Sequence, residues 1–463
     1  MYPGLAEWRP KPLSGRDIAR IHSIASIAGQ RLADSLLQPM TLLAAVVWLF
    51  NGSWVDIAIV TVVASAASAL GSTVMPYALR YVEDIRLVIL GANVVRAGAA
   101  TLIVILGWRI VTYSSSDFVS LLIIAVLFLE IGAAVNITTN ARSPIANLDQ
   151  PTSRRARQIA GATAGLIGGL VAWRALSTGD EGFPQSIGWL LALGGMASIA
   201  TVWFQITAPV RSNSLHRKPD IVRFDQIRAL LSTGNMRRFL IFRLAFGLAD
   251  LADPFLIVYG MIEMRLGLAY IGLIVLVLAL SQITGGIVWT TIRQARGSRR
   301  SMQLAAMLRF AGLILAAGVP MIARSDAWQR HLESGNTGSW LFVLAFAFIG
   351  LGQSTYLRNE QAYARRVAVD ERLFPAALML TNGSLLITAI AALIGVWIIS
   401  AFSLETALVT ASVVAFIALL ISGVLVGPRT LRRRTLSPTL RGPRKPVRVR
   451  KPGRSRPRRP RMY

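Results

Sequence analysis

An α-helix needs about 20 mostly apolar residues to cross a bilayer. Stretches of that kind recur about a dozen times along these 463 residues, which leaves little chain for anything else. The gaps between them alternate between Arg-rich and Arg-poor. Basic loops are retained on the cytoplasmic side, so the alternation predicts an even number of spans with both termini inside. Hydropathy places the spans at 30–50, 55–79, 85–108, 117–141, 157–175 and 187–208 in a first half. A second half holds 239–261, 268–291, 302–323, 338–358, 374–400 and 404–426. The fold class expected is an all-α membrane protein: twelve transmembrane helices in two six-helix pseudo-repeats, with cytoplasmic N and C termini. Arg80, Arg86, Arg142, the run from Arg211 to Arg238, Arg296, Arg300 and Arg358 then lie inside, against only Arg109, Arg174, Arg265, Arg324 and Arg330 outside.

The formal charge of +27 would suit a nucleic-acid protein if it were spread over a soluble surface. It is not. Residues 429–463 hold fifteen Lys or Arg and no Asp or Glu, leaving +12 that the cytoplasmic loops explain. This Pro-rich end has no apolar period and reads as disordered. Its expected partner is the anionic inner leaflet, where each basic residue near the surface gains about 1 kcal/mol, or RNA, or else it serves only to fix topology. The chain has no cysteine and three scattered histidines, His22, His216 and His331, so no metal motif or thiolate site is expected. No catalytic set and no cofactor-binding motif appears, and the N-terminus lacks the short apolar core of a removable signal peptide.

The long basic gap after the sixth span divides the chain. The expected parts are 1–29 as a cytoplasmic segment, 30–208 and 239–427 as the halves, 209–238 as a linker and 428–463 as the tail. Landmarks recur across the gap at an offset of 212 to 216 residues: Arg31-Leu32-Ala33 with Arg243-Leu244-Ala245, Pro39 with Pro254, Gly71 with Gly285, and Arg142 with Arg358. Four pairs in order indicate a duplicated six-span unit of the kind found in two-half transporters. In the linker, Ile221, Phe224, Ile227 and Leu231 recur at helical spacing among charges, which predicts an amphipathic helix on the inner membrane surface.

Between spans 8 and 9 stands Arg296-Gly297-Ser298-Arg299-Arg300, with Gln294 before it. Between spans 2 and 3 stands Arg80-Tyr81-Val82-Glu83-Asp84-Ile85-Arg86, and span 10 leaves through Arg358-Asn359-Glu360. With this layout, the chain resembles the major facilitator superfamily of secondary transporters over essentially all its spans. The first of these stretches is similar to the basic end of the family's loop motif. The resemblance implies two rocking halves and a central cavity lined chiefly by spans 1, 4, 7 and 10.

A charge at the bilayer centre costs about 2.5–3.5 kcal/mol on insertion scales, so each one calls for a reason. Gln30, Asp34 and Gln38 form one polar stripe on span 1 beside Arg31. Arg96 on span 3 and Glu130 on span 4 stand at similar depth, as an ion pair or as a proton or cation site. Asn136 shares span 4. Span 7 carries Asp250 and Asp253, two acids with no obvious second base, and Arg243 two turns earlier. Gln353 is a single polar group on span 10. Asp34, Gln38, Glu130, Asn136, Asp250, Asp253 and Gln353 are the expected substrate or proton pathway. Arg31, Arg80, Arg86, Arg96, Arg243, Arg296, Gly297 and Arg300 are the expected structural or gating positions. A cavity with this acidic lining suits a cationic or neutral small solute and disfavours an anion. The function expected is secondary active transport, with protons as the candidate coupling ion. The competing reading is a sensor or scaffold on a transporter-like fold. No phosphate loop or His-containing set at membrane depth points to an ATP-driven pump or an enzyme.

Overall fold

A computed structural model describes residues 15–74, 81, 85–140, 151–178, 182–207, 222–323, 337–354, 356–368 and 371–425. Among them every regular element is a helix. Eleven helices are long and apolar enough to cross a membrane. Spans 2 to 6 run Trp54–Thr73, Ile85–Trp108, Ser115–Asn140, Pro151–Leu176 and Gln185–Ile206, and spans 8 to 10 run Leu268–Arg296, Ser298–Ala323 and Thr337–Ser354. Span 11 is Phe374–Gly383 continued by Leu385–Ala401, and span 12 is Leu404–Val424. Each falls within a few residues of its expected position at most ends. Span 8 runs five residues further, and a separate helix, Tyr356–Val367, follows span 10.

Spans 1 and 7 depart from a simple rod at equivalent places. Span 1 starts at Gly15, well before the expected 30. It runs to Leu36, breaks at Gln38, and continues as a π-helical turn Pro39–Leu43 and a short helix Ala44–Leu49. Span 7, expected as one helix over 239–261, is two: Gly234–Leu248 and Asp253–Glu263, joined by a 3-10 turn Ala249–Ala252. Neither piece is long enough to cross alone, which is why the apolar helices number eleven. Proline is the shared cause. Pro39 and Pro254 have no N–H to give the preceding turn, and their rings exclude the usual helical path there.

Helix packing repeats under a shift of six spans. Spans 3 and 6, 3 and 4, 1 and 5, 1 and 6, and 2 and 4 pack together; so do 9 and 12, 9 and 10, 7 and 11, 7 and 12, and 8 and 10. The joint between halves obeys the same rule, because span 5 packs on span 8 and span 2 packs on span 11. Within a bilayer, close backbone approach rather than hydrophobic exclusion draws helices together. Glycines supply it here. A Cβ on Gly107 would meet the Gly188 carbonyl at 2.4 Å, and one on Gly188 would meet the Gly107 carbonyl at 2.3 Å. Gly71 faces Ala134 of span 4, and its repeat partner Gly285 faces Ser354 at the end of span 10.

The two ends of the molecule differ. At the end away from the Arg-rich loops, one core draws on both halves, including Leu43, Val46, Phe118, Phe255, Ile274 and Phe342. Ser53 and Asp56 form a capping box that starts span 2 there, and Ser403 caps span 12. At the Arg-rich end a second core of Leu230, Met236, Phe239, Tyr363 and Ala376 belongs to the second half alone. The linker helix, Phe224–Ser232, is part of it. Leu230 is its buried residue and Ile227 packs alongside, whereas Phe224 and Leu231 are exposed. The face turned to the protein is therefore not centred on the expected stripe. Gly297 turns the chain between spans 8 and 9 with φ 85°, a left-handed value that favours glycine. The tail lies outside the described residues.

Candidate functional site

The 3-10 turn in span 7 sets up the most heavily charged point in the second half. In an unbroken helix the Asp253 N–H would bond the Ala249 carbonyl. Here it bonds the Asp250 carbonyl instead, and Ala249 loses its ordinary partner four residues on. Arg309 of span 9 takes that place, donating from Nη2 to the Ala249 oxygen at 3.1 Å. The same nitrogen lies 3.0 Å from Asp250 Oδ1 and pairs with Asp253 Oδ1. The outer oxygens are held too: Gln353 of span 10 donates to Asp253 Oδ2 at 2.7 Å, and Thr388 of span 11 donates to Asp250 Oδ2 at 3.1 Å. Arg309, Asp250 and Asp253 are all buried. The sequence-based expectation of two acids without a base is thus corrected. Arg309 supplies the base, from a helix to which no role had been given.

Arg243, expected on the Asp250 face, turns elsewhere. It pairs with Glu360 on the helix Tyr356–Val367 that follows span 10. Its Nε donates to Ser384 Oγ at 3.0 Å and its Nη2 to the same oxygen at 2.6 Å. Arg243 and Glu360 are both buried. One arginine of span 7 therefore ties the post-span-10 helix to span 11 at the Arg-rich end. Arg366 of that helix donates to Ser298 Oγ at 3.4 Å and Arg299 to the Gly423 carbonyl at 2.5 Å, joining the 8–9 turn to its surroundings. Arg296 and Arg300 are exposed at that turn.

The first half carries a looser version of the same device. Arg96 follows the start of span 3 by eleven residues, as Arg309 follows the start of span 9. Gly132 of span 4 packs against Arg96 and Ala92, and Gly352 of span 10 packs against Arg309 and Ala305. Arg96 is 2% exposed and donates from Nη2 to Gln30 Oε1 of span 1. Gln30 in turn donates to Asp34 at 2.7 Å, and Arg31 stands 4.0 Å from Asp34. The side chains of Arg31 and Asp34 are 50% and 46% exposed. The ion pair between Arg96 and Glu130, one of the two readings of these charges, is not formed among the described residues. Glu130 is half-buried and makes no hydrogen bond or ion pair among the described residues.

The expected pathway thus separates into two places. Asp250, Asp253 and Gln353 meet around Arg309 in the second half. Asp34 and Glu130 stand near Arg96 in the first, with Gln38 half-buried where span 1 breaks. The side chains of Asn136 and Arg86, and all of Arg80, lie outside the described residues. Sequence reading missed Arg309 and Glu360. Arg309 was within reach, because it follows Arg96 by 213 residues, inside the offset range of the repeat.

No protein-family model matches the chain, and no curated protein sequence matches it. Solved structures do. The nucleoside transporter NupG superposes with a TM-score of 0.58 at 16% identity, covering 89% of this chain and 99% of that one. A bacterial homologue of the iron transporter ferroportin in its inward-facing state gives 0.59 at 12% identity over 89% and 99% of the two chains. Its outward-facing state gives 0.53 at 14% identity over the same shares. The human organic anion transporter MFSD10 gives 0.52 at 15% identity over 89% and 100%. These neighbours are transporters, and at such identities the likeness concerns architecture. The chain is a multi-pass membrane protein with the fold of the major facilitator superfamily.

Proposed function

We propose that this protein is a secondary active transporter that moves a small cationic or neutral solute across the cell membrane by alternating access, with its Arg-rich end cytoplasmic. The observation that carries the reading is the unequal treatment of the two ends of span 1. Its distal part, Thr41–Val47, is buried on every face, as is Leu251–Gly260 of span 7 against which it packs. Its proximal part leaves Arg31 and Asp34 exposed. A bundle sealed at one end and open to polar side chains from the other is one half of an alternating-access cycle. The closer superposition on the inward-facing than on the outward-facing ferroportin homologue agrees with this direction.

Charge supports the solute class. The intramembrane and near-membrane set is Arg31, Arg96, Arg243 and Arg309 against Asp34, Glu130, Asp250, Asp253 and Glu360, one more acid than base. An anion would add to that excess, whereas a cation or a proton offsets it. The basic tail would lie along the anionic inner leaflet. Purified protein in liposomes, given a panel of organic cations and neutral polar solutes with and without a pH gradient, tests the reading. We expect uptake of at least one solute and a lower rate for Asp34→Asn if that solute is cationic. A folded, inserted protein that moves none of them refutes transport.

A further inference from the structure

Each half has a proline break in its first span, and an arginine is seated in the one of span 7. There the guanidinium of Arg309 holds the Ala249 carbonyl and pairs with both carboxylates. Pro39 and Pro254 stand 215 residues apart, and the same offset lays Ser35 and Gln38 of span 1 over Asp250 and Asp253 of span 7. Two acids are thus replaced by neutral residues that carry oxygen. The counterpart of Arg309 is Arg96, whose Nη2 is turned to Gln30, about two helical turns before the break.

The break in span 1 leaves oxygens without their helical donors. Pro39 has no N–H to return to the Ser35 carbonyl. The Thr41 N–H bonds the Gln38 carbonyl at 3.3 Å instead of that of Leu37. Gln38 is extended, with φ −68° and ψ 119°, and its side chain makes no capping bond. Thr41 lies on the π-helical turn itself; it is 3% exposed, and its Oγ1 has no hydrogen-bond partner. A buried polar atom in that condition is costly until something of opposite polarity meets it. Polar residues lead to it from the open end. Arg31 and Asp34 are half exposed, Gln38 is half-buried and Thr41 is buried.

We propose that the break in span 1 binds a monovalent alkali cation, held by the Ser35 and Leu37 carbonyls, the Gln38 amide oxygen and the Thr41 hydroxyl. The ion does in the first half what the guanidinium of Arg309 does in the second: it supplies positive charge to backbone oxygen that a proline break has released. Irregular backbone at membrane depth is tolerated where its polar groups are satisfied in this way. The site goes beyond the transport reading above, since it follows from the broken helix and stands whether or not a solute moves.

Other ligands fit less well. Calcium and magnesium sites draw on carboxylates, whereas these four oxygens are neutral, which suits a single charge. The nearest acid, Asp34, is already engaged by Gln30 and Arg31. No group of three or more His, Cys, Asp or Glu able to hold a metal occurs among the described residues. A buried water would satisfy the Thr41 hydroxyl but would give no ion binding, so measurement separates the two.

Equilibrium binding of radiolabelled sodium to the purified full-length protein tests the proposal without any solute. The wild type should bind the ion saturably, with displacement by excess sodium chloride and none by choline chloride at the same ionic strength. Thr41→Val keeps shape and removes the hydroxyl, so it should weaken binding by about tenfold, and Thr41→Ser should bind like wild type. Pro39→Ala returns an N–H to the Ser35 carbonyl and should abolish binding, while the double variant Asp250→Asn with Asp253→Asn, in the other half, should keep it. If Thr41→Val does not fold, Gln38→Leu removes a different ligand and should weaken binding likewise. Folded wild type without saturable sodium binding overturns the proposal, as does affinity unchanged in the folded ligand variants and in Pro39→Ala. Solute flux is not part of the measurement. A protein that binds the ion yet moves no solute therefore fails as a transporter and keeps the cation site.

Discussion

Replacing Arg309 by methionine keeps length and packing volume but leaves Asp250 and Asp253 within one helical turn of each other, without a cation. Breaking a buried ion pair by removing one partner costs about 3–5 kcal/mol, because the remaining charge is stranded. Arg309 also donates to the Ala249 carbonyl at 3.1 Å, and loss of that bond adds about 1 kcal/mol. The single variant should therefore lose about 4–6 kcal/mol of unfolding free energy. The triple variant, Arg309→Met with Asp250→Asn and Asp253→Asn, removes every stranded charge while keeping the bonds from Thr388 and Gln353. Uncharged replacements of buried ion clusters are often close to neutral, so it should recover most of the loss. The measurement is reversible unfolding in mixed micelles with increasing denaturing detergent, read by tryptophan fluorescence. Two results refute the argument: a single variant within about 1 kcal/mol of wild type, or a triple variant no more stable than the single.

Glu360→Ala should destabilise the Arg-rich end of the second half by about 3–5 kcal/mol by stranding Arg243, and pairing it with Arg243→Gln should restore much of that in the same unfolding assay. Gly107→Leu or Gly188→Leu forces side-chain atoms into a facing carbonyl 2.3–2.4 Å from the new Cβ; overpacking costs about 1–3 kcal/mol, seen as a lowered melting temperature and reduced yield. Since the chain has no cysteine, single probes report topology directly. Cysteines at the exposed Ser232 and Ser116 should label with a membrane-impermeant reagent from opposite sides, whereas one at Ser298, which is buried, should label poorly from either; same-side labelling of the first two breaks the span assignment.

Hydropathy located the helices because lipid demands long apolar runs whatever the tertiary fold. It was silent on which way each helix faces. In water an apolar stripe marks the inside, but lipid tails are as apolar as leucine, so exposed Val94, Ile105 and Ile287 look no different in sequence from buried Ile103 and Ile274. Partnership among charges was hidden for the same reason. Arg243 was placed near Asp250 because both share span 7, yet Glu360 captures it from a helix beyond span 10. The linker helix shows the limit of periodicity. A wheel with Phe224, Ile227 and Leu231 on one side is amphipathic in fact, but Leu230, one position over, is what the neighbouring helices cover. The breaks in spans 1 and 7 were signalled by Pro39 and Pro254. The use of the break in span 7, freeing the Ala249 carbonyl for Arg309, needed the third dimension.

The crossed seam between halves, span 5 on span 8 and span 2 on span 11, is an isologous contact of the kind that normally joins two identical subunits. Each half owns both faces of it: what span 5 gives to the far side, span 11 gives back. The molecule is thus arranged like a two-fold dimer whose two protomers share one chain. Fusion permits something symmetry forbids, since a homodimer must place the same residue at both copies of every position. Here one copy closes two acids around the buried Arg309, while the other leaves Arg31 and Asp34 half exposed.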